Sequence, residues 1–190
     1  MGLQDLPPQS SWVHRGAREG FEVLFASRVA GGPALAGHTA AVEDGVAWSV
    51  GYEIRTDDAW CTVEARVTGH SSDGERRTTL RREDGDTWTV DGVRRPDIDG
   101  CVDVDLESSA VTNTLPVHRH ELPIGKTVSV PAAFVRAHDL SVQRLEQTYT
   151  RLDDDGRYAY TSSTFDFACE LRYDAAGLIV EYPSIAVRTA

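Results

Sequence analysis

Hydrophobic and polar residues alternate along several stretches of this sequence. Five large apolar residues, separated by smaller or polar ones, run from Val46 to Ile54. Successive side chains of a β-strand point to opposite sides, so a period of two is typical of a strand with one buried and one wetter face. The pattern predicts a strand over residues 46–55.

The same alternation returns twice. It predicts a strand over residues 60–68 whose buried row is Cys61, Val63, Ala65 and Val67. It is clearest from Phe165 to Tyr173, where the apolar row faces Asp166, Ala168, Glu170 and Arg172. A turn at residues 174–177 then leads to the expected partner strand, residues 178–182.

Acidic, glycine-containing runs such as 72–74 and 153–156 separate further strand-like stretches, as hairpin turns do. Helical signals are confined to residues 11–18 and 34–42, each of which predicts a short helix. The pattern gives about twelve strands, at residues 21–29, 46–55, 60–68, 75–83, 86–91, 102–106, 116–122, 127–135, 142–152, 157–161, 165–173 and 178–182. So many strands must curl into a roll, a barrel or two packed sheets. The predicted class is therefore all-β and mainly antiparallel.

Length and composition predict one globular domain over residues 1–190, with residues 1–18 as a partly helical N-terminal extension. The chain has 41% hydrophobic and 26% charged residues, close to the ordinary globular mixture. At 190 residues it is long enough to bury a sizeable core. No Pro/Gly/Ser-rich linker divides it.

The net charge and the cysteine content limit which binding partners and which cellular compartment are expected. The net charge of −11 repels nucleic acid and anionic membranes, so neither is expected as a partner. No apolar stretch approaches the roughly 18 residues of a membrane span. Three widely spaced cysteines and the lack of a signal-peptide pattern predict free thiols in the cytoplasm.

Acidic and histidine pairs are candidates for chemistry. Asp103 and Asp105 share one face of a predicted strand and could act as acid and base, or could simply form a solvated outer face. His118 and His120 share a face of the predicted strand 116–122, but a third zinc ligand at a suitable spacing is not visible. No metal site is predicted.

Other motifs are weaker. Ser49 sits in a sequence like a nucleophile elbow, but it falls in the middle of a predicted strand. Phosphate-binding glycine motifs are absent, so no cofactor is predicted. In residues 143–151 one face carries Leu145, Gln147, Tyr149 and Arg151, which is a mixture typical of a ligand pocket if that face points inward. The alternative is an ordinary polar outer face.

Four segments together resemble the putative glycolipid-binding protein family. They are residues 88–92 with 99–106, 112–116, 147–151 and 177–183. Their order and spacing match that family over most of residues 20–188. The resemblance implies a spiral β-roll, a strongly curved antiparallel sheet around a hydrophobic interior, with one or two short helices. It also implies binding of a lipid that carries a sugar head.

The leading hypothesis is a non-enzymatic binder of a glycolipid or another amphipathic small molecule. The expected ligand-binding residues are Asp103, Asp105 and Asn113 for hydroxyl groups, Arg119 and Arg151 for anionic groups, and Tyr149 and Trp88 for stacking. A hydrolase or isomerase that uses Asp103 and Asp105 is one alternative. A protein-interaction module without a ligand cavity is the other, and the oligomeric state stays open.

Overall fold

The computed structural model describes residues 2–189. It contains one α-helix, α1 (Thr114–His120), and two 3₁₀ helices, Pro96–Ile98 and Val111–Asn113. The strands are β1 (Gln9–His14), β2 (Glu19–Val29), β3 (Gly32–Glu43), β4 (Val46–Thr56), β5 (Thr62–Ser71), β6 (Gly74–Glu83), β7 (Thr87–Val90), β8 (Val93–Arg94), β9 (Asp103–Leu106), β10 (Thr127–Ser129), β11 (Ala132–Val135), β12 (Val142–Leu145), β13 (Gln147–Arg151), β14 (Arg157–Ser162), β15 (Phe167–Tyr173), β16 (Ile179–Tyr182) and β17 (Ala186–Arg188). The fold is mostly antiparallel β, as the sequence predicts.

Fourteen of these strands form one long curved sheet. Their order is β10-β13-β14-β15-β16-β17-β1-β2-β3-β4-β5-β6-β7-β8, so the sheet joins the two ends of the chain. In β1, Trp12 is opposite Glu22 of β2 and Arg188 of β17. The first strand therefore holds the N-terminal and C-terminal halves of the sheet together.

A small second sheet, β12-β11-β9, fills the concave side. Every residue of β9 and β11 is buried, which requires cover on both faces. The large sheet provides part of that cover through Thr62 of β5, whose hydroxyl accepts a hydrogen bond from the Val104 amide at 3.1 Å. The long sheet thus curves around the small one.

The predicted alternation in β4 is confirmed from Trp48 to Ile54, where Trp48, Val50, Tyr52 and Ile54 are all buried, but Val46 at the start of the strand is exposed. The predicted row in β5 is only partly right. A bulge shifts the register after Arg55, so Thr56 pairs with Thr62 and Val63 turns outward.

Both helices predicted near the N-terminus are wrong. Residues 11–14 belong to β1, and residues 34–42 lie inside β3, which pairs with strands on both sides. Tertiary pairing overrides the weak local helical signal in each segment. Residues 9–14 are consequently part of the central sheet, not an extension beyond it.

The segment predicted as a strand at 116–122 is mostly helix α1. Leu115 and Val117 are buried and the helix ends at Glu121 in a left-handed conformation, which the sequence pattern did not show. Two other predicted strands, 127–135 and 142–152, are each divided between the two sheets. This division and four strands that the pattern missed, β1, β3, β8 and β17, outweigh the loss of 116–122, so the number goes from about twelve to seventeen in the described part of the chain.

Within residues 2–189, no helix is both long enough and apolar enough to cross a membrane.

Trp12 should be a principal stabilising residue, because it is fully buried and its indole donates a 2.8 Å hydrogen bond to the Ile179 carbonyl. We expect Trp12→Ala to lower the free energy of unfolding by about 3–5 kcal/mol, measured by urea denaturation. Phe25→Ala, on the exposed face of β2, is the control and should cost about 0.5 kcal/mol. Equal losses of stability for the two variants would show that Trp12 is not a principal stabilising residue of the sheet.

Candidate functional site

A cavity of about 310 Å³ lies between the small sheet and strands β14, β15 and β16. Its walls come from six strands and from several loops that are far apart in sequence. The residues that line it are Arg18, Asp105, Leu106, Glu107, Ser109, Asn113, Phe134, Arg136, Leu145, Tyr160, Ser162, Phe165, Phe167, Tyr182 and Ile185. Two of the predicted site residues, Asp105 and Asn113, are therefore in one cavity.

Aromatic rings form the apolar wall of this cavity. Phe134 and Phe165 have ring centroids 5.1 Å apart, and Tyr160, Phe167 and Tyr182 form a second group with centroid distances of 6.2–6.3 Å. These separations suit edge-to-face and tilted packing, which leaves ring faces and edges for an apolar or sugar group.

Asp105 is the buried acid of the cavity. One carboxylate oxygen accepts a 2.8 Å hydrogen bond from the Thr112 hydroxyl. Among residues 2–189, no arginine, lysine or histidine lies within ion-pair distance of it. The pKa of Asp105 is raised to about 6, mainly by burial and in smaller part by the charges of Asp103 and Glu107, whereas the hydrogen bond from Thr112 opposes the rise.

Asn113 is held by two tyrosines behind the cavity wall. The Tyr149 hydroxyl donates to Asn113 Oδ1 at 2.7 Å, and the Tyr173 hydroxyl donates to the Asn113 carbonyl at 3.2 Å. Tyr149 and its strand neighbour Gln147 are both buried, so of the two orientations left open for this face the structure has the inward one at these positions, although Leu145 belongs to the neighbouring strand β12. Tyr149 reaches the cavity only through Asn113.

Glu22 fixes the loop that carries Ser109 and Asn113, and sequence reasoning missed it. Its fully buried carboxylate accepts hydrogen bonds from the Ser109 hydroxyl, from the Ala110 amide at 2.9 Å and from the Tyr52 hydroxyl at 3.0 Å. The available signal was a carboxylate in the same alternating row as Leu24 of β2.

Asp103 has a different environment from Asp105. Both of its carboxylate oxygens accept hydrogen bonds from Arg119 of α1, the second at 2.6 Å. Burial raises the pKa of Asp103 and the Arg119 guanidinium opposes that rise. Asp103 does not line the aromatic cavity, so the two carboxylates do not face a common ligand there.

The remaining predicted site residues lie apart. Trp88 is fully buried and donates a 2.8 Å hydrogen bond to the Cys101 carbonyl. Arg151 lines a cleft of about 790 Å³ with acidic loop residues, and Arg119 lines another of about 640 Å³ beside Trp60. Both clefts border the N-terminal segment and have a more polar lining than the aromatic cavity, which makes them weaker pockets for an apolar group.

The structure also shows where the histidine and serine motifs of the sequence lie. His118 is on a helix, stacks on Trp60 with centroids 3.8 Å apart and forms a 2.8 Å hydrogen bond with the Ala176 carbonyl. Burial lowers the pKa of His118. Ser49 lies within β4. Residues 2–189 contain no group of three histidine, cysteine or acidic side chains placed to hold a metal ion.

The model of the family described as putative glycolipid-binding matches residues 9–188. The chain belongs to this family. A crystal structure of a DUF1089 family protein from Pseudomonas aeruginosa is 29% identical, with a TM-score of 0.80 over 100% of this chain and 97% of that one. A beta-barrel-like protein of the domain of unknown function DUF1849 from Brucella abortus shares the fold at 11% identity, with a TM-score of 0.54 over 98% and 96% of the two chains. No curated protein matches the sequence.

Asp103 and Arg119 form a structural pair, which can be tested by stability. Arg119→Met leaves a buried carboxylate unpaired and should cost about 3–5 kcal/mol, measured by urea denaturation. Adding Asp103→Asn to that variant should restore at least half of the loss. The control is Arg28→Met, which breaks the exposed pair with Asp58 and should cost no more than about 1 kcal/mol. Similar losses at both arginines would refute the structural assignment.

Asp105 should reduce stability at neutral pH. When the fold raises the pKa of an acid, the free energy of unfolding is unaffected at pH values below the unfolded-state pKa. It declines as the pH rises through the folded-state pKa, which is about 6 for Asp105. We expect Asp105→Asn to raise the free energy of unfolding at pH 8 by on the order of 1–3 kcal/mol, with little change at pH 4. Urea denaturation at both pH values measures this.

Asp139→Asn is the control of opposite sign. Hydrogen bonds from Ser141 lower the pKa of Asp139, so its carboxylate stabilises the fold above pH 4. This variant should therefore lose stability at pH 8. A loss at pH 8 for Asp105→Asn as well would contradict the unpaired burial of Asp105.

Proposed function

We propose that this protein binds an amphipathic small molecule in the aromatic cavity, and that it acts as a binder, not as an enzyme. The family description makes a glycolipid the first candidate. The observation that carries the proposal is the cavity itself, whose apolar wall is interrupted by a few polar groups. Its volume of about 310 Å³ is at the lower end of the range of ligand sites, about 300–1,000 Å³.

A polar atom without a partner supports a ligand at this place. Ser162 Oγ is buried and has no hydrogen-bond partner among residues 2–189. Its side chain lines the cavity. Buried polar groups normally find a partner, so an open hydroxyl group in the cavity favours a guest that forms a hydrogen bond with it.

The division of the lining suggests how an amphipathic guest would lie. The tail would contact Phe134, Phe165 and Phe167. Asp105 and Asn113 would hold hydroxyl or amine groups of the head, and the flat rings of Tyr160 and Tyr182 suit stacking against a sugar face. In this arrangement Asp103, Arg119, Arg151 and Trp88 support the fold or border other clefts.

One observation favours an enzyme as the second candidate. An acid with a pKa of about 6 in a cavity is suited to proton transfer near neutral pH. A hydrolase or isomerase that uses Asp103 and Asp105 together is less well supported, because both carboxylates would have to contact the same substrate. Asp103 is already bound by Arg119.

The cytoplasm is the proposed compartment. Cys61, Cys101 and Cys169 are all free thiols, which supports a reducing environment.

Filling the cavity tests the proposed function. Ser162→Phe places a ring inside the cavity, whereas Thr161→Phe places the same ring on the exposed face of the same strand. The probe is the neutral dye N-phenyl-1-naphthylamine, which becomes fluorescent in an apolar site. We expect the wild type and Thr161→Phe to bind it and Ser162→Phe to lose at least tenfold in affinity.

Native mass spectrometry of protein purified from cells gives an independent measurement. The wild type and Thr161→Phe should retain a small molecule that Ser162→Phe lacks. Unchanged dye binding in Ser162→Phe, with thermal unfolding showing that the variant is folded, would exclude this cavity as the binding site.

A further inference from the structure

We infer that the buried end of the aromatic cavity receives a cationic ammonium group, so that the ligand is an amphiphile with an amine in its head. The inference rests on the proposed function and specifies the chemistry of its ligand. The observation behind it is a buried carboxylate, that of Asp105, which faces an aromatic cavity without a cation of its own.

The neighbouring acids are already compensated. Asp103 has the bidentate contact with Arg119. Glu107 accepts a 2.8 Å hydrogen bond from the Ala137 amide and lies 3.7 Å from Arg136. Asp105 has no cationic partner among residues 2–189, and the groups that stabilise its carboxylate, the Thr112 hydroxyl and the Leu106 amide, are both neutral. An ionised buried carboxylate is costly unless it is paired, so this position gains more from a cation than from a hydroxyl group.

The two arginines that line the cavity are engaged elsewhere. Arg18 donates to the Glu107 carbonyl at 2.8 Å, lies over the Trp48 ring and is 3.7 Å from the Glu43 carboxylate. Arg136 lies over the Phe165 ring and near Glu107. Each arginine therefore has a carboxylate within 4 Å, and neither neutralises Asp105.

Tyrosines complete the surroundings of Asp105. Burial raises the pKa of Tyr149, Tyr160, Tyr173 and Tyr182, and the charge of Asp105 raises each of them further. The four phenols therefore stay neutral at physiological pH. Only Tyr160 and Tyr182 of these four line the cavity, and their electron-rich ring faces attract a cation, most strongly where water is excluded. A carboxylate among aromatic rings is the combination that recognises ammonium groups.

The same groups disfavour an anionic head at this end. Asp105 would repel a sulfate or phosphate, and the charges of Asp103 and Glu107 act in the same direction. A hydroxyl head can donate to Asp105 but leaves its charge uncompensated.

Three eight-carbon compounds that differ only in the head group test the inference. Octylamine, octanol and octyl sulfate compete with N-phenyl-1-naphthylamine for the wild-type protein at pH 7.5. We expect octylamine to bind at least tenfold more tightly than octanol, and octyl sulfate to bind most weakly. Similar affinities for all three, or tighter binding of octyl sulfate, would overturn the inference.

Asp105→Asn removes the charge and keeps the shape. This variant should bind octylamine at least tenfold more weakly, and its loss of affinity for octanol should be much smaller, because a neutral hydroxyl group can still donate to the amide oxygen. Asp84→Asn, in an exposed turn, changes the net charge equally and should leave both affinities unchanged. Unaltered octylamine binding in Asp105→Asn would refute the role of this carboxylate.

A pH series gives a second readout. Octylamine stays charged between pH 5 and 7.5, whereas Asp105 ionises around its pKa of about 6. Octylamine affinity should therefore rise across this range in the wild type and stay flat in Asp105→Asn.

The outcomes separate the two proposals. If octanol binds, Ser162→Phe abolishes that binding and octylamine has no advantage, the cavity is a binding site with a different head-group preference. If no compound displaces the dye and Ser162→Phe has no effect, the binding function itself is wrong.

Discussion

The curvature of the large sheet is the constraint on which the rest of this structure depends. A sheet that curls leaves a concave apolar face, and that face has to be filled from inside. Here the short strands β9 and β11 fill it, and they are buried on both faces as a result. Any polar side chain that they carry is taken out of water with them. The two aspartates of β9 are buried for this reason, not because either residue favours an apolar environment.

These two aspartates have different surroundings in the fold. Asp103 meets Arg119, and the pair ties the inner sheet to helix α1. Asp105 meets a hydroxyl group and a cavity lined with aromatic rings. A charge that is buried without a partner reduces stability, and residues of this kind cluster at sites where proteins bind or transform ligands. The contrast between the neighbours is stronger support for a site than either carboxylate alone.

Hydrogen bonds from the large sheet hold the cavity wall in place. Glu22 on β2 binds the segment around Ser109 and Ala110, and Thr39 on β3 donates to the Ser108 carbonyl at 2.8 Å. Tyr149 and Tyr173 approach Asn113 from the other half of the sheet. The wall is therefore fixed by strands from both ends of the chain, which is the preorganisation that a binding site needs.

The alternation of side chains determined the all-β class and the strands predicted at residues 46–55 and 165–173, because a strand's period of two is a local property. It left open whether the face that carries Tyr149 points inward. The sequence also suggested Asp103, Asp105 and Asn113 as ligand-binding residues, of which the structure places Asp105 and Asn113 at the cavity. Only the tertiary structure decided that β9 is covered on both sides, that residues 114–120 form a helix, that Val63 turns outward and that Glu22 reaches Ser109. Burial and pairing depend on segments that arrive from distant parts of the chain, and a local pattern contains no information about them.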